Sequence, residues 1–157
     1  MKNVITPKKI SNKDIIKFFR SKNMGSIVEL SKEYRESTND MTSDYKYRPQ
    51  LKDLYRLYQI VYLNKRTTVL EFGSGYSSLM FSASLSALQA KYKNKINNLR
   101  RNNPFELFVL ENKKKYMGIS KKRIDEYWKK NNNLIASKVN YKVSDVHMTT
   151  YNGRICT

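Results

Sequence analysis

Apolar positions change period several times along the chain, and each change marks an element. Ile15, Phe18 and Phe19 recur at helical spacing behind Ser11, with Asp14 as a capping-box partner, so a helix starts at Ser11. The ten residues before it read as a poorly ordered arm. Arg20 and Lys22 suit the last turn of that helix, and Gly25 is placed to stop it. Ile27 to Arg35 reads as a second short helix, and the polar run Glu36 to Ser43 as a loop. Behind Pro49, Leu51, Leu54, Tyr55, Tyr58, Val61 and Tyr62 form one long helical stripe, which needs a sheet or helix to cover it. Val69 to Phe72 is then a short buried strand, followed by Gly73-Ser74-Gly75 and a helix from Ser77 with Leu79, Ala83, Ala87 and Ala90 on its face. That helix turns basic (Lys91, Lys93, Lys95, Arg100, Arg101) and stops before Pro104. Phe105 to Leu110 is a second buried strand. Ser120 suits the cap of a further helix, with Ile124, Tyr127 and Trp128 inward. Lys138 to Met148 alternates as a third strand. Asn152-Gly153 is a hairpin signal, and Arg154 begins a returning strand.

Strand, glycine turn and helix in that order make a ligand site. Glycines let a ligand approach the backbone, and the first N–H groups of the helix face it. Glu71 narrows the ligand class. A dinucleotide would bring phosphate beside that carboxylate, and Ser78 stands where the third glycine of G-x-G-x-x-G belongs. Glu111, closing the second strand, is placed to accept ribose hydroxyls. It lies farther from Gly75 than the roughly 20 residues of a minimal unit, and the basic helix extension and loop account for the excess.

The stretch Glu71-Phe72-Gly73-Ser74-Gly75 resembles motif I of class I S-adenosylmethionine-dependent methyltransferases, with Ser77 where that family often has a third glycine. The resemblance extends over about Leu51 to Thr157. It implies S-adenosylmethionine as cofactor, bound by Glu71, Gly73, Ser74, Gly75, Tyr76, Ser77, Glu111 and Asn112, with Tyr116 a further neighbour of the adenosine. It also implies an α/β fold: a Rossmann-like parallel sheet with helices on both faces and a helical cap at residues 1–50. Residues 51–157 would then be a partial cofactor domain, truncated after the third strand, because the family's sheet has seven. The expected reaction is methyl transfer to a small-molecule or sugar hydroxyl. The family's substrate-side residues commonly follow its fourth strand, so no catalytic residue is assigned. An incomplete sheet would associate with other chains or need a missing C-terminal half.

Composition changes this picture in one respect. With 31 Lys and Arg against 13 Asp and Glu, the net charge of +18 raises nucleic acid as a partner or methyl acceptor. The charge is mostly lysine mixed with asparagine and carries no recognition motif, so solvated lysine faces are the plainer account of it. A basic nucleic-acid-binding module and a non-catalytic nucleotide-binding domain therefore stand as alternatives. At 157 residues the chain is one domain. Cys156 is the only cysteine and His147 the only histidine, which leaves no disulfide within the chain and no Cys- or His-rich metal site. No apolar run is long enough to span a bilayer and no secretory signal is visible, so the expectation is a cytoplasmic protein.

Overall fold

The computed structural model describes residues 4–32, 48–92, 94–95, 104–145, 149–151 and 154–156. Its elements are α1 (Asn12–Ser21), α2 (Gly25–Lys32), α3 (Leu51–Leu63), β1 (Thr68–Phe72), α4 (Tyr76–Tyr92), β2 (Glu106–Glu111), α5 (Lys114–Lys130), β3 (Lys138–Val143), β4 (Thr149–Tyr151) and β5 (Arg154–Cys156). The chain is α/β: among the described residues β1, β2 and β3 form a parallel sheet in that order, and five helices accompany it.

Both crossovers, β1–α4–β2 and β2–α5–β3, step in the same direction across the sheet. Right-handed connections then put α4 and α5 on the same face. The side chains agree. Leu107, Val109, Val139 and Tyr141, which share one face by register, pack with Leu85 and Leu88 of α4 or with Ile124 and Tyr127 of α5. The expectation of helices on both faces is therefore met on one face only among the described residues. On the other face, Leu70 is 55% and Phe72 81% exposed. Toward the start of the strands that face carries an ion pair, Lys138 Nζ to buried Glu106 at 2.9 Å. The outer edge of β1 has no strand neighbour among the described residues.

Helix α4 lies between the sheet and α3, and is buried on more than the one face expected. Leu79, Met80, Ala83, Leu85 and Leu88 are buried together with Ser78, Ser82, Ser84 and Ser86. Small side chains allow close approach, and the buried hydroxyls find partners. Ser84 Oγ donates to the Tyr58 carbonyl (3.0 Å) and Ser86 Oγ to the Ile135 carbonyl (2.6 Å). Ser82 Oγ accepts from Trp128 Nε1 (3.0 Å) and lies 2.9 Å from Ser137 Oγ. The cap helices join this core: Ile15, Phe19, Met24, Ile27 and Val28 form one cluster with Leu54, Tyr58, Leu79, Met80, Ile124 and Tyr127.

Several boundaries differ from the sequence reading. Ser11 caps α1 as expected, accepting the Asp14 N–H at 3.2 Å. The helix ends, however, on Asn23, left-handed at φ 57°, while Gly25 opens α2. The Asn23 N–H reaches the Arg20 carbonyl (3.1 Å) and the Met24 N–H the Phe19 carbonyl (2.9 Å). Asparagine can supply the left-handed residue of that closing motif as glycine does. Phe105 precedes β2 because its backbone is left-handed, φ 68°, while its ring is buried in the core. Helix α5 starts at Lys114, so Ser120 lies inside it, fully buried. The third strand ends at Val143, and β4 and β5 pair antiparallel as a separate hairpin across Asn152-Gly153. Those two turn residues, the loop Glu36 to Ser43, Arg35, His147 and most of the basic stretch after Tyr92 lie outside the described residues.

Candidate functional site

Sheet register brings Glu71 and Glu111 to the carboxyl ends of adjacent parallel strands, on the face covered by α4. The Gly73 N–H donates to the Leu110 carbonyl at 2.8 Å, extending the ladder one residue past β1 before the chain turns. Gly73 has φ +83°, a conformation that side-chain-bearing residues resist, and a Cβ there would meet open space. Gly75 has no positive φ, and an added Cβ would meet only Ser77 Oγ at 3.8 Å. Nothing in the fold itself demands glycine at 75.

The two serines in place of glycines hold the turn. Ser78 Oγ accepts the Gly75 N–H at 3.1 Å, closing the first turn of α4 from the third helical position. That donor is consequently engaged. Ser77 Oγ donates to Glu71 Oε1 at 2.5 Å. Ser120, unread as a site residue, fixes α5 to the turn by donating to the Gly75 carbonyl at 3.4 Å. Its place inside α5 concealed this role from a reading that used it as a cap.

Glu71 is only 7% exposed, and its Oε2 is buried with no hydrogen-bond partner among the described residues. Burial pushes its carboxyl above the usual carboxylate range. The Ser77 and Ser78 hydroxyls oppose that rise, and the Glu111 charge adds to it. Glu111, equally buried, is well supplied with donors. Its Oε2 accepts from Ser74 Oγ (2.7 Å) and its Oε1 from the N–H groups of Asn112 (2.9 Å) and Lys113 (3.1 Å). A carboxylate offers about four acceptor positions, so roughly one remains for a ligand while Ser74 is in place.

Of the expected site residues, Glu71, Gly73, Ser74, Gly75, Ser77 and Glu111 are brought together. Asn112 contributes its backbone N–H, and its side chain is exposed. Tyr116 is 47% exposed on the first turn of α5. Tyr76 is directed elsewhere: its ring lies 3.9 Å from the Arg123 guanidinium, in a cleft between α2 and α5.

Comparison of the chain with protein-family models, with curated proteins and with solved structures returned no match. Among the described residues no helix is long and apolar enough to cross a membrane, and no group of three or more His, Cys, Asp or Glu side chains is placed to hold a metal ion.

Proposed function

We propose that the chain binds a cationic nucleoside cofactor of the S-adenosylmethionine type in a Rossmann-like sheet and belongs to a methyl-transfer system. The observation that carries this reading is the pair of buried carboxylates, Glu71 and Glu111, flanking the glycine turn. Two anions there disfavour a pyrophosphate and favour a ligand with positive charge. The unpartnered Oε2 of Glu71 fits an ammonium or sulfonium group, which would relieve the cost of a buried carboxylate oxygen without a donor. Glu111 fits a ribose less completely. It has room for one hydroxyl as it stands and for two once the Ser74 hydroxyl rotates away.

When bound, the cofactor's sulfonium supplies an electrophilic methyl group for a nucleophilic oxygen or nitrogen. The residues described here hold and orient; none is positioned as a general base, and the acceptor class stays as the resemblance implies, a small-molecule or sugar hydroxyl. Calorimetric titration of the chain with S-adenosylhomocysteine, S-adenosylmethionine and NAD tests the reading. Saturable binding of the first two, with NAD much weaker, supports it. Preference for NAD, or no binding of either S-adenosyl compound, refutes it.

A further inference from the structure

A cleft of ≈ 570 Å³ opens between α2, α5 and the start of α4, touching the glycine turn only through Tyr76. Its volume lies within the range of small-molecule sites. The sequence builds two unlike walls. Met24, Ile27, Leu79 and Tyr127 are buried and supply an apolar floor. One side of α5 supplies Lys122, Arg123 and Lys130, against the single carboxylate of Glu126, which pairs with Lys122 at 4.0 Å.

Arg123 is the unusual member. Its guanidinium is half-buried, yet no carboxylate lies within ion-pairing distance among the described residues. It rests on the face of the Tyr76 ring, 3.9 Å from its centroid. Burial pushes its pKa down, more than the contact with Tyr76 and the charge of Glu126 on the same helix push it up. A planar fork of donors beside an apolar floor suits an anionic group carried on an apolar body.

We propose that this cleft is a second ligand site, taking a small soluble amphipathic anion whose ring or short chain lies on the Met24–Ile27–Leu79 floor and whose carboxylate, sulfonate or phosphate meets Arg123. The site stands independently of the cofactor reading, since neither glutamate of the turn lines it.

Naphthalene-2-sulfonate, titrated calorimetrically into the full chain, is the probe. The expected result is saturable one-to-one binding that falls about ten- to a hundredfold in Arg123→Gln, the loss of a charge-assisted hydrogen bond. Arg123→Lys should retain part of the affinity, and the neutral naphthalene-2-sulfonamide should bind as weakly to wild type as the sulfonate does to Arg123→Gln. Ile119→Asp is a second variant that leaves Arg123 and the Tyr76 contact in place. It adds a carboxylate at an exposed rim position, with little to lose in folding, and should weaken the sulfonate by a similar factor. Far-ultraviolet circular dichroism confirms which variants are folded. No saturable binding to wild type, or undiminished affinity in a folded Arg123→Gln or in Ile119→Asp, overturns the proposal.

Discussion

Glu111→Gln and Glu111→Ala separate what this carboxylate does for the fold from what it does for a ligand. Three donors converge on it, from Ser74, Asn112 and Lys113. Glutamine keeps a carbonyl oxygen for the two backbone N–H groups and turns an amide toward Ser74, whose hydroxyl can rotate to accept. Stability should then change by no more than about 1 kcal/mol, the net value of one hydrogen bond. Alanine removes all three. Hydrogen bonds to a charged acceptor contribute about 1.5–3 kcal/mol, and water can reach the exposed Asn112 and Lys113 backbone, so the whole loss should be about 2–3 kcal/mol. At this chain length that lowers the melting temperature by roughly 4–12 °C. Both variants should lose about ten- to a hundredfold in affinity for S-adenosylhomocysteine, because a ribose hydroxyl loses its charged acceptor. Thermal unfolding followed by circular dichroism gives the first quantity, and calorimetric titration the second. Wild-type affinity in Glu111→Gln would remove the ribose role, whereas an unshifted melting curve in Glu111→Ala would remove the hydrogen-bond network. An exposed carboxylate would have predicted no stability loss; the burial of Glu111 reverses that.

Glu71 makes stability depend on pH. Its folded-state pKa lies above the ordinary 4.5, so the folded state holds the proton more tightly, and stability falls as pH rises from that value toward the raised one. Glu71→Gln should flatten this part of the melting-temperature profile, and in wild type the affinity for S-adenosylmethionine should rise over the same window; a profile equally steep in both proteins would contradict the assignment. Gly73→Val should destabilise the chain by about 1–3 kcal/mol through backbone strain alone, while Gly75→Val should melt near wild type yet lose S-adenosylhomocysteine binding, and retained binding in the latter would take that glycine out of the site. Phe72→Asp, at a side chain 81% exposed, should leave stability within about 0.5 kcal/mol and reduce self-association in sedimentation velocity; unchanged association would mean that this sheet face is not responsible.

Local pattern made some of this protein readable and tertiary contact decided the rest. Ser11 with Asp14, the stripe from Leu51 to Tyr62, the strand–glycine–helix order around Gly73 and the antiparallel return of β5 along β4 all depend on neighbours a few residues apart. The sequence therefore determined those elements by itself, and with them the placing of Glu71 and Glu111 at strand ends. Other features depend on partners far along the chain. Phe105 turned out of the strand and Ser120 inside α5 each reflect a tertiary contact overriding local preference. So do the Ser74–Glu111 bond, spanning 37 residues, and the lodging of Tyr76 against Arg123. The sheet face that no described helix covers has the same origin. Strand order, fixed only when β1, β2 and β3 find their register, combines with right-handed crossovers to send both helices to one side. No local period carries that information, because the side a helix takes is a property of the strands it joins.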